Sequence, residues 1–181
     1  MKYILPFQNH AEYTATTIDI KPTVCMCKEE NELHYNHLVK NNVLKYKADE
    51  QINLEDHYSF QVSCFVDEED SPLSVVTHKF REGEGEVTFN GNIAKVYGNA
   101  FTDNLSVINL TEVTLPSSVV YLDDTWMNCS TIETIRVMAT TPPEWLGYTY
   151  DNLEQIIVPS ESVDAYKSAE GWSDYASIIT S

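Results

Sequence analysis

The residue types best suited to metal chemistry lie near the start of the chain. Cys25-x-Cys27 is followed by His34-x-x-His37, and thiolates and imidazoles are ligands that zinc binds in tetrahedral sites. This spacing is not that of a standard zinc finger, and an unpaired cysteine usually behaves as a small buried apolar residue. We therefore expect reduced thiols here and no metal or other cofactor, with a zinc site at these four residues as the alternative.

Carboxylates form the second group of residues with a possible catalytic role. Glycosidases use a pair of Asp or Glu side chains, and candidate pairs occur at Asp123-Asp124 and among Glu82, Glu84 and Glu86. Alternate acids along a strand are more typical of a solvated face, where they discourage pairing at an exposed sheet edge. The sequence contains neither a G-x-S-x-G nucleophile motif nor a phosphate-binding loop motif. We predict that the chain is not an enzyme.

An aromatic cluster is the best candidate for a binding site. Trp145, Tyr148 and Tyr150 follow Pro142-Pro143 in a predicted loop, and exposed aromatic rings suit contacts with carbohydrate or protein. We predict these three residues as the binding residues. Large aromatic side chains are buried on average, so the alternative is that the rings pack beneath the C-terminal segment.

The charge of the chain excludes several classes of partner. Eleven Lys and Arg residues stand against 28 Asp and Glu residues, which gives a formal net charge of -17. Nucleic acids and anionic membranes attract clustered basic residues, so we predict no nucleic-acid binding. No segment approaches the roughly 20 apolar residues of a membrane helix, and the apolar stretch after Met1 is too short for a signal peptide. We expect neither membrane insertion nor an export signal.

A repeated pattern organises the second half of the chain. The segment Leu110–Pro116 reads L-x-x-V-x-L-P, and related segments begin at Ile132 and Leu153, 22 and then 21 residues later. Alternate apolar residues share one face of a strand, so each copy predicts a short strand with one apolar face. We expect the stacked copies to form a narrow parallel sheet with a shared core. A period of about 20–29 residues is typical of leucine-rich repeats. A second set of apolar residues in Ile93–Phe101 aligns with Val119–Met127 at an offset of 26.

The two ends of the chain do not repeat. Ser160–Ala169 starts with good N-cap residues and predicts a helix, which Gly171 ends. Leu44–Ala48 and Ser59–Val66 predict strands near the N-terminus. We therefore predict an α+β, mostly β fold with a small β-rich anchoring or oligomerisation region at 1–72. A short leucine-rich-repeat solenoid with a C-terminal helical cap would follow at 73–181.

These motifs resemble the BspA-like leucine-rich repeats of gut Bacteroidales over a little more than half of the chain. Ala100-Phe101, Leu115-Pro116 and Cys129 fit the family's repeat unit, and Thr77–Phe80 with Gly83–Phe89 resembles its opening. The similarity is closer at the end of the chain, in Ala139–Pro143, Ile157–Pro159, Ser162–Lys167 and Gly171–Ser173. The array departs from the family pattern at Tyr97, Asp123 and Trp126, and it is too short for a long concave binding face.

The N-terminal segment suggests a setting for these repeats. Cys27–Asn36 resembles leaders that precede such repeats in proteins of Bacteroidales phages and prophages. The resemblance implies a non-enzymatic virion protein, such as a head-fibre or tail appendage subunit, made in the host cytoplasm. Its partners would be other virion proteins or a host surface protein or glycan, and a homo-oligomer, for which a trimer would suit a fibre, is expected. The alternative is a bacterial cell-surface adhesin module that binds host protein or glycan.

Overall fold

The computed structural model describes residues 41–55, 58–145, 150 and 152–181, which belong to one compact unit, Lys40–Ser181. Its strands are, in chain order, β1 (Val43–Lys47), β2 (Phe65–Val66), β3 (Val75–Arg81), β4 (Glu84–Phe89), β5 (Lys95–Val96), β6 (Glu112–Leu115), β7 (Tyr121–Leu122), β8 (Thr134–Val137), β9 (Glu144–Trp145), β10 (Gln155–Ile157) and β11 (Ile179–Thr180). The described α-helix, α1, spans Val163–Ser168. Short 3₁₀ turns lie at Val62–Cys64, Asp103–Ile108, Ser160–Ser162 and Trp172–Tyr175.

The strands form a long mixed sheet and a short sheet. The long sheet has seven strands in the order β11-β10-β8-β6-β1-β4-β3, and the short sheet has four in the order β2-β5-β7-β9. Strands β6, β8, β10 and β11 are parallel to one another, whereas β1 is antiparallel to both β6 and β4, and β4 is antiparallel to β3. The β3–β4 hairpin closes through Glu82 and Gly83, whose positive φ values of 55° and 85° suit a two-residue hairpin turn.

The parallel pairing predicted from the repeats is confirmed. Val113 lies opposite Ile135, and Ile135 lies opposite Ile156, so equivalent residues of the three copies are neighbours. The second set of repeated residues also pairs in parallel, with Val96 opposite Leu122. Each of these five side chains is buried, because alternate residues of a strand point to the same face.

The two sheets share one hydrophobic core. The Phe65 ring of the short sheet lies 5.2 Å from the Phe89 ring of the long sheet and 5.8 Å, edge to face, from Phe101. All three rings are at most 1% exposed. Burial of each contributes roughly 1.5–3 kcal/mol, so this contact is a substantial link between the sheets.

Hydrogen bonds as well as packing attach the C-terminal segment, which contains α1 and Trp172, to the residues before it in the chain. The Tyr166 hydroxyl of α1 donates to the Ala139 carbonyl at 2.8 Å, and Trp172 Nε1 donates to the Pro143 carbonyl at 2.8 Å. Both side chains are at most 1% exposed. The helix ends at Ser168, with Ala169 as its C-cap, and not at Gly171 as predicted. Gly171 instead precedes the 3₁₀ turn Trp172–Tyr175, with a φ of 75° that glycine adopts without steric cost.

The predicted leucine-rich-repeat solenoid with a helical cap is wrong as a description of the fold. The described residues form a mostly β structure with a mixed seven-stranded sheet, a four-stranded sheet and a helix of only six residues. The prediction failed because it placed β1 in a separate N-terminal region. The alternation of β1 instead lets it lie between β4 and β6, where it pairs antiparallel on both sides. The boundary predicted after residue 72 falls inside the compact unit.

Of the two strands predicted before the repeats, one is confirmed and the other is mostly wrong. Leu44–Ala48 corresponds to β1, whereas most of Ser59–Val66 is not a strand. That segment contains the 3₁₀ turn Val62–Cys64, followed by the two residues of β2. Phe65 lies in β2 opposite Val96, and Phe60 forms an isolated antiparallel bridge with Phe101. Both side chains are buried.

Candidate functional site

The structure places the predicted aromatic binding residues in different environments. Trp145 is 2% exposed, and its ring lies 4.5 Å from Trp172 and 5.6 Å, stacked, from Tyr175. Tyr150 is half-buried and stacks 6.2 Å from Trp145. Tyr148 lies outside the described residues. Trp145 therefore packs beneath the C-terminal segment, which was the alternative given for it.

The candidate metal ligands Cys25, Cys27, His34 and His37 also lie outside the described residues. Within the described ranges, no group of three or more His, Cys, Asp or Glu side chains is arranged to hold a metal ion. Burial is the main reason that the pKa of Cys64 is raised, and the charge of Asp123 adds to the effect. The thiol donates to the Gly98 carbonyl at 3.3 Å, so it is held in its weakly nucleophilic neutral form.

The candidate catalytic carboxylates have structural partners. Asp123 accepts hydrogen bonds from the Thr125 amide at 3.0 Å and the Thr125 hydroxyl at 2.9 Å. Burial raises the pKa of Asp123, but these bonds outweigh it and leave the pKa below its usual value. Glu82 lies in the β3–β4 turn, and Glu84 and Glu86 are on the outer face of β4. Asp123 thus stabilises a turn, and Glu84 and Glu86 belong to a sheet surface.

Most of the basic residues that the structure describes lie on the outer face of the long sheet, the face that also carries Glu84 and Glu86. Strand alternation buries one side chain and turns the next one outward. It therefore puts Lys45, Lys47, Lys79, Arg81 and Arg136 on the same side of the sheet. These are five of the seven Lys and Arg residues that the structure describes. The first four are exposed and Arg136 is half-buried. We call this surface the basic face.

The charges on the basic face are ordered by strand register. Glu84, Glu86 and Glu112 are the acids on this face, and they lie between the basic residues. Neighbouring strands are about 4.8 Å apart, so each acid is close to a base. Two rows of residues cross the sheet, Arg81-Glu84-Lys47-Glu112 and Lys79-Glu86-Lys45-Thr114-Arg136.

The basic face contrasts with the rest of the described surface. Its five basic and three acidic residues give a formal charge of +2. The described residues contain seven Lys and Arg and 21 Asp and Glu, so two basic and 18 acidic residues lie elsewhere, with a formal charge of -16. The face therefore differs in sign from the remainder of the molecule.

Glu112 forms ion pairs with two basic residues at the centre of the basic face. Its carboxylate lies 3.0 Å from Lys47 Nζ and 2.9 Å from Arg136 Nε, and its side chain is 13% exposed. Burial alone raises the pKa of Glu112. The hydrogen bonds and charges of the two basic partners outweigh that effect, and the pKa lies below its usual value. Glu112 is consequently ionised at neutral pH, and it orients two of the five basic side chains.

The basic face was not predicted from the sequence, although the sequence shows part of the alternating pattern that produces it. Lys45 and Lys47 alternate with buried residues, as do Glu84 and Glu86. Such alternation predicts one charged face per strand, but it does not say which strands are neighbours.

Comparisons with known proteins do not place the chain in a family. No protein-family model matches it, and a search of curated proteins finds no significant relative. Among the described residues, no helix is long and apolar enough to cross a membrane.

Proposed function

We propose that this chain is a non-enzymatic attachment protein that assembles through the basic face. The observation that carries the proposal is the separation of charge, with +2 on the basic face and -16 on the other described residues. Electrostatic complementarity across an interface sets the orientation of partners and suppresses wrong contacts. A basic face on an acidic molecule therefore favours one docking orientation over the others.

The proposed occupant of the basic face is the acidic surface of a second copy. The chain itself supplies the complementary charge, because its remaining described surface is strongly acidic. Contact between two different surfaces of identical subunits is heterologous, and such contacts close into rings when the rotation permits. A ring of three copies is the form that suits a fibre.

The setting proposed for this assembly is a phage virion. The resemblance of the repeat segments to BspA-like proteins, and of Cys27–Asn36 to phage and prophage leaders, supports a head-fibre or tail appendage subunit. Other virion proteins or a host surface molecule would be its further partners. Antibodies raised against the chain and applied to purified particles test this point. Labelling of the particles is expected, and labelling of the bacterial surface alone would favour the adhesin alternative.

The assembly itself is tested by light scattering on the full chain. At about 0.05 M NaCl we expect a mass that is a multiple of the 20.6 kDa monomer, and a shift towards the monomer at about 0.5 M, because salt screens exposed charges. Lys79→Glu on the basic face should lower the assembled fraction. Lys167→Glu, an exposed change of the same charge on α1, is the matched control. A monomer at every salt concentration, or equal effects of both variants, would refute assembly through this face.

A further inference from the structure

The short sheet has an outer face of its own, on the side away from the shared core. In β5, β7 and β9 the second residue is at most 2% exposed, so the first residue points outward. Strand register aligns these outward residues in one row, Lys95-Tyr121-Glu144. The row is the centre of a surface that is separate from the basic face, because it belongs to the other sheet.

Further carboxylates border this row. Asp70 lies 2.8 Å from Lys95 Nζ and accepts the Tyr97 hydroxyl at 2.7 Å, and Asp123 and Asp124 directly follow β7. Four acids and one base give the surface a formal charge of -3, opposite in sign to the basic face. We call this surface the acidic face, and its members are Asp70, Lys95, Tyr97, Tyr121, Asp123, Asp124 and Glu144.

The single basic residue of the acidic face is already paired. Hydrogen bonding to Asp70 is the main reason that the pKa of Lys95 is raised, and the charges of Asp70 and Asp67 add to the effect. The Lys95 side chain is 23% exposed, whereas Asp124 and Glu144 are exposed. A partner that approaches this face therefore meets carboxylates rather than an ammonium group.

Two tyrosine rings lie at the centre of the acidic face. The rings of Tyr97 and Tyr121 are 5.7 Å apart at an angle of 52°, and both residues are half-buried. Burial is the main reason that the pKa of Tyr121 is raised, and it is raised further by the charges of the carboxylates Asp123, Glu144 and Asp124. A cation beside a tyrosine ring is attracted by the ring as well as by nearby carboxylates, so this surface suits Lys and Arg side chains.

We propose that the acidic face is the surface on which the basic face of a second copy docks. The inference rests on the assembly proposed above, and it identifies the acidic surface that takes part in that assembly. Formal charges of +2 and -3 make the two faces complementary. Contact between two basic faces, or between two acidic faces, brings like charges together and is disfavoured. The charges therefore select the heterologous contact.

Lys79 and Arg81 are the cations of the basic face best placed to reach a second copy. Both are exposed, and they belong to β3, which is the edge strand of the long sheet. The Arg81 side chain is 86% exposed and lies 3.0 Å from Glu82, which is itself 78% exposed. An ion pair this exposed contributes little to stability. Arg81 can therefore exchange Glu82 for a carboxylate of the acidic face at little cost.

Sedimentation equilibrium of the full chain at about 0.05 M NaCl, where screening is weak, measures the Kd of self-association. The double variant Asp124→Asn/Glu144→Gln removes two charges from the acidic face with little change in side-chain size, and it should raise this Kd by about tenfold or more. The matched control Asp164→Asn/Glu170→Gln makes the same change at exposed residues of the C-terminal segment and should leave the Kd unchanged. Circular dichroism confirms that each variant is folded.

A mixing experiment tests the pairing of the two faces directly. Lys79→Glu/Arg81→Glu disables the basic face and leaves the acidic face intact, and Asp124→Asn/Glu144→Gln does the reverse. Each variant alone should be mainly monomeric at a concentration below its own Kd. An equimolar mixture retains one intact pair of faces, so it should form a complex of twice the 20.6 kDa monomer mass.

These measurements separate the inference from the proposed assembly. If Lys79→Glu lowers the assembled fraction but Asp124→Asn/Glu144→Gln behaves like its control, the basic face docks on another acidic surface. The inference is then overturned while the assembly stands. A mixture that remains monomeric overturns the inference as well. A wild-type chain that is monomeric at every salt concentration refutes the assembly, and the inference with it.

Discussion

Gly85 is the position where a single added methyl group should disturb the structure most clearly. It lies in β4 directly opposite Tyr46 of β1, and a Cβ at Gly85 would stand 2.0 Å from Cε1 and Cζ of the Tyr46 ring. That distance is far inside van der Waals contact. Gly85→Ala must therefore displace a ring that is 2% exposed and hydrogen-bonded to Ile52 and His78.

The expected cost has two parts. Overpacking a buried site costs about 1–3 kcal/mol, and leaving buried hydrogen-bonding groups without partners costs about 1–3 kcal/mol more. We expect Gly85→Ala to lower the free energy of unfolding by about 4 kcal/mol, which corresponds to a Tm lower by roughly 10–15 °C for a unit of this size. Urea and thermal denaturation followed by circular dichroism measure both quantities.

Two comparisons decide whether this reasoning is correct. Glu86→Ala changes the next residue of β4 on the outward face and should cost less than about 1 kcal/mol. In a Tyr46→Ala background the added methyl group at Gly85 has space, so the second change should cost much less than it does in the wild-type chain. Additive costs in this double-mutant cycle, or a Gly85→Ala cost no larger than that of Glu86→Ala, would refute the steric explanation.

Three further predictions concern buried or partly buried polar groups. Tyr166→Phe removes the hydroxyl that donates to the Ala139 carbonyl and should lower the free energy of unfolding by about 1–2 kcal/mol, measured by urea denaturation. Because the pKa of Glu112 is lowered in the folded state, its contribution to stability is present at neutral pH and is lost as the pH falls below about 4.5. Glu112→Gln should flatten that acid limb of the stability curve, and an unchanged limb would contradict the assignment. Burial lowers the pKa of His78 below 6.5 in the folded state. The contribution of His78 to stability is therefore present above pH 6.5 and is lost as the pH falls towards the folded-state pKa. His78→Gln should remove this pH dependence of the free energy of unfolding, and a dependence equal to that of the wild-type chain would contradict the assignment.

The repeat strands were predictable from the sequence because their signal is local. Alternation of apolar residues around Val113, Ile135 and Ile156 defines the buried face of each strand, and the regular spacing predicts that the copies are neighbours. The helix near the C-terminus was predictable too, although α1 ends at Ser168, before Gly171. These features depend on residues close together in the chain.

The position of β1 and the basic face were not predictable in this way. The sequence Val43–Lys47 shows that one face of β1 is buried, but it does not show that β4 and β6 lie on either side. The basic face exists because that pairing brings Lys45 and Lys47 onto one surface with Lys79, Arg81 and Arg136. These three residues are 32 to 91 positions away in the chain.

The sequence by itself determined the strong negative charge, the alternation of the strands and the parallel pairing of the repeats. Only the tertiary structure decided which strands are neighbours, where the positive charge collects, and that Trp145 is buried rather than exposed. The physical reason is that period-two alternation specifies which side of a strand faces the core. The choice of partner strand instead depends on packing and backbone hydrogen bonds between segments far apart in the chain.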